Sequence, residues 1–233
     1  MIELPSFETQ AMYDAETHFN LLMTPERLAK FVIHYEAVKA VQTVPGAIVE
    51  CGVFKGTSLV RFAKLREIMG GRFAHKIVAF DVFGDEFPTT QYAEDLAQRE
   101  HWIATAGGSS ISTEQLSGLL ARFHIDNFEL VAGDATRTIP AYCERNKGMK
   151  IALLNVDIDF VEPTYVALSS FYDRVMPGGI ILLDNYAGEG TAGHSYHGDT
   201  MGVDKFIAER GSSIVIEQFP FASRPCLIRK PLR

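Results

Sequence analysis

Short apolar runs that each stop at an acid recur along this chain. Ala47 to Glu50, Lys76 to Asp81, Phe128 to Asp134, Ile151 to Asp157 and Ile180 to Asp184 all take this form. Runs too short for helices and apolar almost throughout predict buried parallel strands. Between them the period changes. Thr24-Pro25-Glu26 supplies a cap and a first-turn proline, and Leu28, Phe31, Val32, Tyr35, Val38 and Val41 recur at helical spacing. A helix is expected from Thr24 to about Val41, packed on a sheet through those residues. Further helices are expected from Thr57 or Ser58 to about Met69, from Tyr92 to Trp102, from Ser112 or Thr113 through Phe123, from Glu162 to about Arg174, and from Val203 to Glu209. Ser213 to Phe219 and Cys226 to Arg229 read as the last two strands, an antiparallel hairpin at the sheet edge. The alternation predicts a single α/β domain with a Rossmann-like, doubly wound, seven-stranded and mostly parallel sheet.

Open α/β sheets bind ligands outside the carboxyl ends of their strands, where this chain places Glu50, Asp81, Asp134, Asp157 and Asp184. Such an acidic rim disfavours a dinucleotide pyrophosphate and suits a cofactor bearing a cation and ribose hydroxyls, as S-adenosylmethionine does. Gly52 and Gly56 allow close backbone approach, and Thr57 and Ser58 offer free N–H groups at a helix start. Asp81 is expected to accept the ribose hydroxyls, Glu50 to lie near the methionine ammonium and Asp134 near the adenine. Val53, Phe54, Gly56, Ala135 and Asp157 are counted with them in the cofactor site.

The two strands that end at Asp157 and Asp184, side by side, would bring Asp157, Asp159, Asp184 and Asn185 into one crevice. Clustered carboxylates in a dry site repel unless protonated or sharing a cation, and oxygen-only ligands suit magnesium or another hard divalent ion. The glycine-rich stretch from Tyr186 to Met201 carries His194 and His197, which are either surface histidines or a source of a base. Residues 1–24, with Met12, Tyr13, His18 and Phe19, either pack on the domain or close over the site as a lid, and 186–201 is expected to be a mobile loop beside it.

Composition narrows the partner. A formal net charge of −7 without a dense Lys/Arg block argues against nucleic acid or an anionic membrane, leaving a small molecule. No apolar run reaches membrane-spanning length and the first residues lack the features of a secretory signal. Three widely spaced cysteines favour a reducing cytoplasm over a disulfide framework.

Taken together, Val156-Asp157-Ile158-Asp159-Phe160-Val161-Glu162-Pro163-Thr164, Pro177-Gly178-Gly179, Asp184-Asn185-Tyr186, Gly202-Val203-Asp204-Lys205-Phe206 and the Pro45 to Gly56 turn resemble the macrocin O-methyltransferase family. The resemblance implies a class I S-adenosylmethionine-dependent fold, magnesium dependence, a homo-oligomer, and methylation of hydroxyls on natural-product deoxysugars. It places the metal on Asp157, Asp184 and Asn185 and the base on Asp159, with His197 as the other candidate base. Asn185 stands where the family commonly has a second aspartate, and one extra residue separates Asp159 from Glu162. Both departures lie at the acceptor side, so a catechol-like acceptor with neighbouring oxygens stays open beside a sugar. Two other readings remain: a metal-dependent glycosyltransferase using Asp157 and Asp159 as its Asp-x-Asp, and a catalytically silent methyltransferase fold serving as a binding subunit.

Overall fold

The computed structural model describes residues 2–70, 75–84, 87, 90–186, 197–211 and 213–232, without the side chains of Glu94, Gln98, Trp102 and His197. Seven strands form one sheet in the order β3-β2-β1-β4-β5-β7-β6. These are β1 (Ala47–Cys51), β2 (Ile77–Asp81), β3 (Phe128–Ala132), β4 (Ile151–Val156), β5 (Val175–Leu183), β6 (Ile216–Gln218) and β7 (Cys226–Arg229). The first five run parallel, β7 pairs antiparallel with β5, and β6 closes the edge against β7. The expected doubly wound sheet with its antiparallel edge hairpin is the one observed. Both faces are buried because successive strand residues feed two cores. Ile48 and Leu153 pack with Ile33, Leu59, Phe62 and Leu116 on one side. Val49 and Leu154 pack with Ile139, Leu168, Phe171 and Phe206 on the other. A strand covered on both faces is apolar at nearly every position, which explains the runs; the exceptions in β1 and β4, Glu50 and Asn155, are buried against each other.

On the first side lie α2 (Pro25–Ala40), α3 (Thr57–Ile68) and α5 (Thr113–Arg122). On the second lie α6 (Ala135–Arg145), α7 (Val161–Phe171) and α8 (His197–Arg210). Caps read from the sequence are in place: Thr24 accepts from the Arg27 N–H, and Ser112 with Gln115 forms a capping box. Three features depart from expectation. The buried stripe of α2 is Ile33, His34, Ala37 and Val38, whereas Leu28, Phe31, Val32 and Tyr35 are largely exposed, because α2 meets α3 through its second half. α6 was not anticipated; Pro140 lies inside it, and Asp134 caps its start by accepting from the Thr136 N–H. α8 begins at His197, six residues before the expected start. Residues 1–24 fold largely into α1 (Thr9–Leu22), which buries no residue of its own. α4 (Ala93–Ala106) precedes α5. Among the described residues no helix is long and apolar enough to cross a membrane, and all three cysteines are free and buried.

Candidate active site

A cavity of about 1060 Å³ opens at the carboxyl ends of the parallel strands. That is large for a single small ligand and roomy enough for a cofactor and an acceptor together. Its wall draws on the turn after β1, the ends of β2, β4 and β5, the starts of α6 and α7, the first half of α2, and Phe221 to Pro225 before β7.

The centre follows from strand register. Val156 of β4 pairs with Leu183 of β5, so the residues that leave those strands, Asp157 and Asp184, emerge side by side. Their backbones stay tied to the sheet: the Asp157 N–H donates to the Cys51 carbonyl and the Asp184 N–H to that of Val156. A cation already lies between the two acids. Lys30 Nζ, reaching from α2, is 2.7 Å from Asp184 Oδ2 and 3.2 Å from Asp157 Oδ2. Burial works to raise Asp184, but the Lys30 ammonium outweighs it and holds this carboxyl below its ordinary value. Asp157 goes the other way, raised well above the ordinary range by burial and by the charge on Asp184. Burial alone would lower Lys30, yet the two carboxylates raise it, so it stays charged.

Asp159 lies beside them with φ 69, a left-handed backbone that an aspartate tolerates better than most side chains. Two contacts hold it there. Asn185 Nδ2 donates to Asp159 Oδ1 at 2.6 Å and to Asp157 Oδ1 at 3.3 Å, and the Asp159 N–H donates to Asp199 Oδ1 at 3.1 Å. Asp199, in the first turn of α8, also accepts from Thr164 Oγ1 at 2.8 Å. Burial, then the charges on Asp199 and Asp184, raises Asp159 well above its ordinary value; Asp199 itself is raised, chiefly by burial, to about 7. α8 thus supplies an acid that fixes Asp159, a role the loop-like sequence around it did not signal.

On the cofactor side, Gly52, Val53, Phe54, Thr57, Ser58, Asp81, Asp134, Ala135 and Asp157 all face the cavity. Asp81 accepts from the N–H groups of Val53 (2.6 Å), Phe54 (2.9 Å) and Phe83 (3.1 Å), which shape the turn. Oδ2 accepts two of these bonds and Oδ1 one, so Oδ1 retains a lone pair for a ligand hydroxyl. Asp134 accepts from Thr136 through its N–H and its hydroxyl while capping α6. Glu50 and Gly56 are not in the cavity lining. Glu50 is wholly buried beneath it, accepting from Asn155 Nδ2 at 3.0 Å, and burial raises it to about 7 against the hydrogen bonds of Ser58 and Asn155. Gly56 instead starts α3 from a left-handed backbone. Gly52 lines the cavity and has a further reason for being glycine. At φ 90, its missing side chain makes room for the carbonyl oxygen of Asp157, which any Cβ would overlap, so the β1 turn can close onto the end of β4.

Of the other expected residues, Phe19 reaches the cavity wall whereas Met12 and Tyr13 are exposed on α1. The expected loop over 186–201 falls largely on residues 187–196, His194 among them, which lie outside the described residues; for His197 only the backbone is described, as the first residue of α8. Among the described residues no three His, Cys, Asp or Glu side chains are arranged to hold a metal. Of the three expected carboxylates, Asp157 and Asp184 share a cation, Lys30, while Asp159 lies beside them with its Oδ1 bonded to Asn185. Asn185 turns its amide nitrogen to the acids, and its oxygen accepts from Arg224 Nη1 at 3.4 Å. Lys30 and Arg224 escaped the sequence reading: a lysine in an amphipathic helix and an arginine in a late loop carry no pattern that points inward.

Residues 13–198 match the macrocin-O-methyltransferase (TylF) family. One curated relative is 8-demethyl-8-(2,3-dimethoxy-alpha-L-rhamnosyl)-tetracenomycin-C 4'-O-methyltransferase of Streptomyces olivaceus. It is 29% identical over 162 residues, which are 66% of this chain and 59% of that protein. The chain therefore spans less than two thirds of that relative's length. Two solved structures share the fold. The calicheamicin methyltransferase CalS11 superposes with a TM-score of 0.65 at 21% identity, covering 96% of this chain and 87% of its own. The O-methyltransferase NovP does so with a TM-score of 0.68 at 18% identity, covering 88% and 80%.

Proposed function

The chain belongs to the macrocin-O-methyltransferase family, and from that premise we propose that it is an S-adenosylmethionine-dependent O-methyltransferase acting, with a divalent cation such as magnesium, on a hydroxyl of a small molecule that carries neighbouring oxygens. A sugar of a natural product is the acceptor class favoured, since the relative's name specifies methylation at a rhamnosyl 4'-oxygen. The observation that carries the reading is the pairing of Asp157 with Asp184 at the mouth of a cavity whose other wall is the Gly52 to Ser58 turn with Asp81 and Asp134.

Whether the residues fit a metal is tested by their geometry. Two carboxylate oxygens converge on one point, the position of Lys30 Nζ, and Asp184 Oδ1 is buried with no hydrogen-bond partner among the described residues. This oxygen-only pair suits a hard cation, and a half-turn of the Asn185 amide would add a third oxygen. Asp157, Asp184 and Asn185 would therefore hold it. When bound, magnesium supplies acidification of a chelated hydroxyl, and S-adenosylmethionine supplies an electrophilic methyl group.

The chain's own residues do the rest. Asp159, fixed through its backbone N–H by Asp199 and raised by burial, takes the acceptor proton; a raised pKa suits a base that must hold that proton near neutral pH. With S-adenosylmethionine bound, the sulfonium would supply the methyl group to the acceptor oxygen, and the proton that the oxygen gives up would rest on Asp159. Because the hard chemistry resides in the sulfonium, the protein contributes chiefly alignment, worth roughly 7–11 kcal/mol at best. A nucleotide-diphosphate clamp built from Asp157 and Asp159 is the less favoured reading, since residues 13–198 match a methyltransferase family.

The test is calorimetric titration with S-adenosylhomocysteine, with and without Mg²⁺, on the wild type and on Asp157→Ala. Wild type and variant are expected to bind S-adenosylhomocysteine alike, while the variant loses methyl transfer to sugar and catechol acceptors by more than a hundredfold. Failure of the wild type to bind S-adenosylhomocysteine defeats the methyltransferase reading.

A further inference from the structure

Lys30 occupies the point at which the two metal-ligand carboxylates converge, 2.7 Å from Asp184 Oδ2 and 3.2 Å from Asp157 Oδ2. We propose that Lys30 is a built-in competitor for the divalent cation: its ammonium and the metal ion take turns between Asp157 and Asp184, so metal binding requires the Lys30 side chain to withdraw. This rests on the reading of Asp157 and Asp184 as metal ligands.

On the two Oδ2 atoms that Lys30 holds, the two cations exclude each other. Magnesium sits about 2.1 Å from its carboxylate oxygens, and an ammonium hydrogen-bonded to those same oxygens would lie in contact with it. Without a cation between them the two acids cannot both stay ionised, because buried carboxylates repel each other and lose their hydration, so one of them must take up a proton. Among the described residues no other Lys or Arg forms an ion pair with either acid. His34, one turn beyond Lys30, is no substitute. Burial first, and the Lys30 charge second, lower it to about 3, so it stays neutral.

Withdrawal is structurally open to Lys30. Its side chain is 22% exposed and lines the cavity, and it stands on the first half of α2, whose buried residues begin only at Ile33. The stem can swing toward the cavity while the helix stays docked. An ammonium held in the site keeps the acids paired until the metal arrives, and it reduces the apparent metal affinity by the fraction of molecules in which Lys30 has left.

The experiment is titration of the full chain with Mn²⁺, followed by calorimetry and by the thermal midpoint, for the wild type, Lys30→Met and Lys30→Arg. Lys30→Met is expected to bind Mn²⁺ at least tenfold more tightly than the wild type and to gain a larger rise in midpoint on Mn²⁺ addition. Lys30→Arg, whose guanidinium can engage both carboxylates, is expected to bind it more weakly than the wild type. Equal or weaker affinity in Lys30→Met overturns the competition while leaving the metal reading intact. Absence of Mn²⁺ binding in all three, with S-adenosylhomocysteine still bound, defeats the metal reading and the competition with it. Should Lys30→Met fail to fold, the comparison of Lys30→Arg with the wild type decides, and equal affinities there overturn the proposal.

Discussion

At the scale of single residues, the site is a balance between burial and pairing. Glu50 shows the consequence most simply, since it lies beneath the cavity and outside its lining. Its folded pKa is about 7 against an ordinary value of 4.5. Below both values the group is protonated in either state and stability is unaffected. Between them the folded protein retains a proton that the unfolded chain has lost, so stability falls as pH rises from about 4.5 to about 7, by roughly 3 kcal/mol, and then levels. Asp199, raised to about 7, adds a parallel fall. Glu50→Gln is neutral at every pH, so its unfolding free energy, measured by urea titration from pH 5 to 8, should decline by about 2–3 kcal/mol less than that of the wild type. An equal decline in both would show that Glu50 stays ionised when folded. Asp184 runs in the opposite sense: held low by Lys30, it contributes stability above its ordinary range that is lost on acidification.

Between elements, buried polar contacts fix what apolar packing leaves free. Arg66, fully buried on α3, donates to the carbonyls of His75 and Asn127 at 3.0 Å and to that of Asp126 at 2.6 Å, just before β2 and β3 begin. Nε and Nη2, the latter also the donor to Asp126, donate to Glu67 Oε1. One guanidinium thereby ties the end of α3 to the amino-terminal edge of the sheet. Arg66→Met keeps much of the volume and removes these donors, so it should destabilise the protein by about 3 kcal/mol, read as a lower urea midpoint at unchanged slope; a loss under 1 kcal/mol would mean that water replaces the guanidinium. The sequence had placed Arg66 only within a helical stretch, since a lone arginine among apolar residues does not announce three carbonyl partners. Likewise Asp199 orients Asp159 only because α8 begins as early as His197.

For the whole molecule, the conspicuous surface is α1 with the outer face of α2. Met12, Tyr13, Leu21 and Leu22 are exposed, the last two at 76% and 74%, and Leu28, Phe31 and Val32 continue the patch. Exposed apolar surface of this kind marks an interaction site in many proteins, which accords with the homo-oligomer we propose for this enzyme. Sedimentation velocity should find the wild type larger than a monomer, and the double substitution Met12→Asp, Leu21→Asp, at exposed residues outside the cavity lining, should shift it to monomer while leaving S-adenosylhomocysteine binding in place. A monomeric wild type would reject this assignment of the patch.

The sequence by itself determined the alternation of buried strands and helices, the parallel sheet with its hairpin edge, and the acids at the strand ends. Each is written locally, in apolar runs, caps and turn residues whose effect spans a few positions. What only the tertiary structure decided is which of those acids meet and what stands between them. β4 lies beside β5, so Asp157 meets Asp184 across 27 positions of sequence. The β1 turn closes under Asp157, so Glu50 sinks below the cavity. Lys30 comes from 127 positions away to neutralise the pair. Such contacts join residues that share no period and no motif, and their energy depends on burial, which is a property of the assembled fold.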